Sequence, residues 1–199
     1  MSTPNTLSQR IAGLCFVLFP ALFFTTLMMS ETLAPGYMLH DTAISDLGVI
    51  PESATVFNTS LIAVGVLTVI GTLALWRTQG GVSKIVLLLL AGVGAIGAGS
   101  IPLSTPGIHG IFALMAFVFF NLAIFGTAMG EAGLLKWIGI VLGLIGCAYV
   151  VIMFFGDSGQ PELFGAIGHG GAERMIVYPP MIWFLIYGGG LLKGPTNRA

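Results

Sequence analysis

Six long runs of apolar residues, separated by short polar or glycine- and proline-rich breaks, dominate the chain. Each run is close to the roughly 20 residues that an α-helix needs to cross the hydrocarbon core of a bilayer. The runs predict transmembrane helices at about residues 11–29, 56–76, 85–101, 108–130, 134–156 and 174–192. The expected fold class is therefore all-α, a polytopic transmembrane bundle of six helices that forms one domain over residues 1–199.

The breaks between the runs contain residues that end helices. The three short breaks contain Gln79-Gly80-Gly81, the Pro102 and Pro106 pair, and Glu131-Ala132-Gly133. Two longer loops cover residues 30–55 and 157–173. The first loop contains apolar residues from Ile44 to Ile50, which predict a short segment tucked against the bundle.

Charge is scarce and unevenly placed along the chain. Charged residues make up 8% and hydrophobic residues 56% of the 199 positions, whereas a soluble domain carries about 25% charged residues. The net charge of -1 offers no basic patch for nucleic acid. With a cytoplasmic N-terminus, only Arg174 falls outside, and the inside set is Arg10, Arg77, Lys84, Lys136, Lys193 and Arg198. The positive-inside rule thus predicts a multi-pass protein of the cell membrane with both termini cytoplasmic.

Small residues are concentrated in the predicted helices. The chain has 29 glycines, and Gly139 and Gly143 form a G-x-x-x-G pair. Such residues let helices approach closely in a membrane, and they predict packing within the bundle, with a homo-oligomer through glycine-rich faces as the alternative. Asn121 predicts a hydrogen bond between helices. Cys15 and Cys147 lie in separate apolar runs and predict no disulfide.

The side chains with chemical potential gather on the side opposite the lysines, close to helix ends. Ionisable groups at the membrane are costly and are usually paired or functional. Candidate metal ligands are the three histidines, with His40 and His169 in the two long loops and His109 opening the fourth helix. Candidate catalytic residues are Ser45, Asp46 and Glu173. Candidate ligand-binding residues are Asn58, Arg174 and Tyr178.

Each candidate also has a structural interpretation. Asp46 suits a turn or helix cap, and His109 suits a hydrogen bond to a nearby carbonyl. Glu173 and Arg174, which are expected to open the sixth helix, suit a local ion pair. His40 suits a solvated position in its loop.

Several short segments around these residues resemble the domain-of-unknown-function-998 family of prokaryotic membrane proteins. The segments are Ile44-Ser45-Asp46-Leu47-Gly48, Phe57-Asn58, Ile101-Pro102, Gly107-Ile108-His109-Gly110, Gly171-Ala172-Glu173-Arg174, Tyr178-Pro179 and Trp183. The resemblance implies six membrane helices and a shared site at Ser45, Asp46, Asn58, His109, Glu173, Arg174 and Tyr178. It implies no established activity.

A looser similarity is to membrane hydrolases such as the alkaline ceramidases, which hold zinc with histidines near one membrane face. The chain departs from them in having six apolar runs instead of seven and no H-x-x-x-H pair. Three functions follow from these residues. The favoured one is binding of lipid or another membrane-associated ligand at a polar site on the extracytoplasmic face. A zinc-dependent hydrolase acting on a lipid and a small transporter are the alternatives.

Overall fold

The computed structural model describes residues 7–79 and 81–193. Over these residues the chain forms six α-helices and two short 3-10 turns, with no β-strand. The helices are α1 (Leu7–Leu33), α2 (Pro51–Trp76), α3 (Val82–Ser100), α4 (Pro106–Ala128), α5 (Gly133–Asp157) and α6 (Gly168–Lys193). The turns are Ile44–Gly48 before α2 and Pro161–Ile167 before α6. All six helices are long and apolar enough to span a membrane, which confirms the predicted fold class.

The largest difference from the predicted boundaries is at the start of α6. The sequence predicts a helix from residue 174, but α6 begins at Gly168. His169 therefore lies in the first turn of α6, and its predicted place in a loop is wrong, as is the expectation that residues 173 and 174 open the helix. A Cβ atom on Gly168 or Gly170 would collide with the backbone carbonyls of His40 and Thr42, respectively. Close packing here overrides the low helix propensity of glycine.

Five helices enclose the interior, and α5 lies outside them. Helix α1 packs on α2 and α6, α2 on α3, α3 on α4, and α4 on α6, which closes a ring. Helix α5 packs mainly against the outer sides of α4 and α6. Only 22% of its span is buried, the lowest share among the six. The α5 helix is thus the peripheral element of the bundle.

Glycines allow several of these helices to pack at short distance. A Cβ on Gly139 would lie 2.6 Å from the Cβ of Ala128, and one on Gly143 would lie 2.8 Å from the ring of Phe125. Both neighbours are on α4, so the G-x-x-x-G pair serves packing within the bundle, as predicted. The homo-oligomer stays a prediction. Cys15 on α1 and Cys147 on α5 are both free thiols.

The two ends of the bundle differ in charge. Successive helices run in opposite directions, and the Tyr187 hydroxyl at the end of α6 donates to Gln79 after α2 over 3.0 Å. The cations at this basic end are Arg10, Arg77, Lys84, Lys136 and Lys193. Gly80 and Arg198 lie outside the described residues. Arg174 lies at the opposite, acidic end, so the fold segregates charge as expected, and which end faces the cytoplasm stays a prediction.

A proline in α6 leaves a backbone carbonyl that α4 satisfies. Pro180 has no N–H to donate to the carbonyl of Ile176, four residues earlier in the helix. The Nδ2 atom of Asn121 on α4 donates to this carbonyl over 3.0 Å and to the carbonyl of Phe117 over 2.8 Å. The predicted interhelical hydrogen bond of Asn121 is confirmed, and it replaces a bond that the proline removes.

Candidate ligand-binding site

An apolar cavity of about 70 Å³ lies inside the ring of five helices. Every helix of the ring contributes to its wall, and so does the Ile44–Gly48 turn. Aromatic and aliphatic side chains form most of the lining, among them Phe23, Phe57, Leu61, Ala98, Phe117 and Phe120. Four polar side chains also line it: Ser45, His109, Asn121 and Glu173. The cavity is therefore an apolar chamber with a few polar groups, the usual composition of a small-molecule pocket.

A wider cleft of about 310 Å³ lies on the outer side of α4, facing α5 and α6. Its apolar lining includes Leu114 of α4 and Phe154 of α5, whose side chains are well exposed. Its polar side chains are Asp157 and Ser158, at the end of α5, together with Ser45, His109 and Glu173. Since α5 is the peripheral helix, the cleft opens sideways toward the region that lipid would occupy.

Six residues line both the inner cavity and the lateral cleft. They are Ser45, His109, Ala113, Phe117, Glu173 and Ile176. These residues come from α4, α6 and the Ile44–Gly48 turn, and they form the wall where α4 passes α6. The two spaces are thus neighbours across one shared set of side chains, which we call the shared wall.

The Ile44–Gly48 turn is fastened to two helices. The Ile44 N–H donates to Oε2 of Glu173 on α6 over 2.5 Å. The Asn58 Nδ2 atom on α2 donates to the carbonyl of Gly48 over 2.9 Å. Within the turn, Oδ2 of Asp46 accepts the Ala43 N–H over 2.9 Å, so Asp46 has the capping role considered from the sequence. These bonds hold Ser45 at the shared wall.

His109 has one ring nitrogen bonded and the other without a partner. Its Nδ1 atom lies 2.7 Å from the carbonyl oxygen of Ile101, at the end of α3. A carbonyl only accepts hydrogen bonds, so we assign the proton to Nδ1, and Nε2 of the neutral ring is then a bare acceptor. The residue is 4% exposed, and Nε2 has no hydrogen-bond partner among the described residues. Such a nitrogen can accept a hydrogen bond from a ligand.

Arg174 is held by a set of acceptors at the acidic end. Its Nη2 atom donates to Glu31 over 2.6 Å and to the Tyr37 hydroxyl over 2.7 Å. Its Nη1 atom donates to the carbonyls of Gly170 over 2.8 Å and Leu39 over 3.2 Å. The guanidinium also lies 5.7 Å from the centre of the Tyr37 ring. The ion pair of Arg174 is therefore with Glu31 of α1, and the expected local pair with its neighbour in sequence is wrong.

Tyr37 belongs to this cluster although the sequence did not single it out. Burial raises the pKa of its hydroxyl to about 12, even though the hydrogen bond from Arg174 and the charge of that group lower it. Glu31 was missed as a partner as well. Its position at the end of a predicted membrane helix could have indicated that it has a cationic partner, because an acidic group in such a place rarely stays unpaired.

With this geometry described, the chain can be compared with known proteins. Residues 17–189 match the family model described as "Protein of unknown function (DUF998)". The chain belongs to the DUF998 family. No curated protein and no solved structure matches it. The matched range contains all residues of both cavities, and it confirms the resemblance seen in the sequence.

The remaining predicted residues of this DUF998 protein lie apart from the shared wall. Tyr178 packs edge-on against Phe24, with ring centres 5.3 Å apart. His40 pairs with its neighbour Asp41, and Nε2 of His169 lies 3.0 Å from Asp157. The three histidines therefore have separate partners. Over residues 7–79 and 81–193, no group of three His, Cys, Asp or Glu side chains is placed to hold a metal, so the three-histidine zinc site is not formed.

Proposed function

We propose that this DUF998 protein binds an amphipathic membrane molecule, with its apolar chain in the lateral cleft and its polar end at the shared wall. The observation that carries the proposal is the unpartnered Nε2 atom of His109 in the wall of an apolar chamber. Buried polar atoms are nearly always hydrogen-bonded in folded proteins. A ligand at this wall would supply the missing partner.

The lateral cleft supports entry from the membrane. It lies beside α5, the least buried helix, and shares Ala113 and Phe117 with the inner cavity. A molecule dissolved in the bilayer could enter the cleft from the side and reach the shared wall. Membrane lipids are thus the proposed partners. We place the polar end of the ligand at the extracytoplasmic face of the cell membrane, because the positive-inside rule puts the basic end inside.

The hydrolase alternative needs a metal that the described side chains are not arranged to hold. Zinc in catalytic sites takes three protein ligands and leaves one position for water. His109 is the one histidine on the shared wall, and His40 and His169 are paired with aspartates elsewhere. Binding of a lipid requires none of these ligands.

The experiment introduces a large side chain at the shared wall and compares its effect on binding with that of the same side chain on the opposite face of α4. Ala113→Trp places an indole at the wall between both cavities, whereas Ile111→Trp adds the same ring to the lipid-facing side of α4, where Ile111 is 66% exposed. The proteins are purified in a nonionic detergent, and binding of a radiolabelled 16-carbon monoacylglycerol is measured by equilibrium dialysis. We expect saturable binding in the wild type and in Ile111→Trp, and at least a tenfold loss in Ala113→Trp.

Circular dichroism and gel filtration check that both variants are folded. A folded Ala113→Trp protein that binds the probe like the wild type would defeat the proposal, and so would the absence of saturable binding in the wild type. Equal losses in the two variants would point to a general effect of the indole on α4 and would count against the cavity as the site.

A further inference from the structure

We propose that the bound molecule is a neutral lipid alcohol, whose hydroxyl donates to Nε2 of His109, and that the site rejects anionic headgroups. This inference rests on the proposed function and specifies the headgroup class. It gives the contact with the headgroup to His109 and not to Arg174, which the sequence offered as a candidate ligand-binding residue.

The polar atoms at the shared wall favour a ligand that donates a hydrogen bond. Nε2 of His109 is an acceptor because Nδ1 carries the proton that binds the Ile101 carbonyl. Glu173 is 4% exposed and already accepts from the Ile44 N–H. Ser45 adds a hydroxyl, which can donate or accept. A ligand hydroxyl can donate to the imidazole and still accept from a serine, whereas a carboxylate or phosphate oxygen offers the imidazole no proton.

The cation at this end of the molecule is already engaged. The two Nη atoms of Arg174 make four hydrogen bonds, to Glu31, Tyr37 and two backbone carbonyls. The remaining nitrogen, Nε, is buried and has no hydrogen-bond partner among the described residues, but Arg174 lines neither the inner cavity nor the lateral cleft. An anionic headgroup at the shared wall could reach the two Nη atoms only by breaking bonds that connect α1, the following loop and α6.

The surrounding charge also disfavours an anion. Glu31, Asp46 and Glu173 all lie at the acidic end, and Arg174 is directly paired with the first of them. Burying an ionised group without a partner is strongly unfavourable, whereas a hydroxyl needs only a hydrogen bond. The same desolvation argument separates the alcohol from an alkylammonium, which also carries a charge into an apolar chamber.

The test compares headgroups on one chain length. Purified wild-type protein in a nonionic detergent is incubated with tritiated 1-hexadecanol, and unlabelled 1-hexadecanol, hexadecanoate, hexadecyl phosphate and hexadecylamine compete for it. We expect 1-hexadecanol to compete at least tenfold more strongly than each charged probe. A tenfold difference corresponds to about 1.4 kcal/mol, within the range of a buried acceptor left without its donor.

The role of the imidazole is tested with His109→Asn. The Asn amide can reproduce the N–H bond to the Ile101 carbonyl, but it has no atom at the position of Nε2. We expect at least a tenfold loss of 1-hexadecanol affinity with the fold preserved. His40→Asn is the matched control, since His40 is exposed and pairs with Asp41, and it should bind like the wild type.

The outcomes separate the two proposals. Stronger competition by a charged probe would overturn the headgroup class while leaving a lipid-binding cavity. Unchanged 1-hexadecanol binding in a folded His109→Asn protein would overturn the assignment of Nε2 as the acceptor. If this variant fails to fold, the ranking of the four probes on the wild type still decides the headgroup class. Absence of saturable binding by all probes, including the monoacylglycerol, would remove the proposed function itself.

Discussion

The hydrogen bond between Asn121 and the carbonyl of Ile176 should stabilise the bundle only because Pro180 is present. In an ordinary helix, the residue at position 180 would donate its own N–H to that carbonyl. Here the donor is Nδ2 of Asn121, at 3.0 Å. Asn121→Leu keeps a similar side-chain volume and removes the donor, so a carbonyl inside the bundle would be left unpaired.

The magnitude follows from two contributions. Hydrogen bonds between membrane helices contribute about 0.6 kcal/mol on average and up to about 1.7 kcal/mol. An unpaired buried polar group costs about 1–3 kcal/mol. Asn121 is fully buried, so we expect Asn121→Leu to lower the free energy of unfolding by about 1–2 kcal/mol. In a Pro180→Ala background the helix can supply its own N–H, and the loss should fall by at least half.

Unfolding by a denaturing detergent in mixed micelles, followed by circular dichroism, measures these free energies in a double-mutant cycle. The wild type, both single variants and the double variant are needed. A positive coupling of about 1 kcal/mol is expected. Additive losses, with Asn121→Leu equally costly in both backgrounds, would refute the idea that the asparagine replaces the missing N–H of the proline.

Three further predictions concern packing and charge. Gly146→Ala should destabilise the protein by about 1–3 kcal/mol, because its Cβ would overlap the Asn121 side chain, whereas Gly189→Ala, with open space around it, should be near neutral in the same assay. Arg174→Lys should lower the melting temperature in detergent, since an ammonium has three donors and cannot reproduce four hydrogen bonds in fork geometry; an unchanged value would show that the cluster contributes little. The ultraviolet absorbance of the wild type and of Tyr37→Phe is followed as pH rises, and the difference between the two titration curves should show one phenol that titrates near pH 12. Its contribution to stability is fully present below about pH 10, the usual tyrosine value, and is lost as pH rises through 12. A difference titration centred at pH 10 would contradict the burial of this hydroxyl.

The six membrane helices could be predicted from the sequence because a span needs only length and apolar character. The start of α6 could not. Residues from Gly168 to Gly171 include three glycines and a histidine, a composition that favours a loop in water. They are helical because the absence of side chains at Gly168 and Gly170 lets the loop around His40 lie directly against them. Such a contact joins positions far apart in sequence, so it cannot be predicted from local composition.

The candidate site was predicted in part for the same reason. Glu173 and Arg174 drew attention as a charged pair near the membrane, yet each bonds a segment more than a hundred positions away, the Ile44 N–H and the Glu31 carboxylate. Residue type showed that these groups required partners. The identity of the partners depends on the order of the helices around the ring, which apolar runs do not encode.

The segments that carry the family resemblance can now be sorted by what they contact. Asp46 and Asn58 hold the Ile44–Gly48 turn in place, and Ser45 and His109 line the shared wall. Glu173 does both, since its Oε2 binds the start of the turn and its side chain lines both cavities. Any movement of the turn away from α6 must therefore break a bond to a group on the cavity wall. The position of the turn and the polarity of the wall are therefore coupled through this one carboxyl group, and motifs from four separate segments of the sequence meet at the shared wall between α4 and α6.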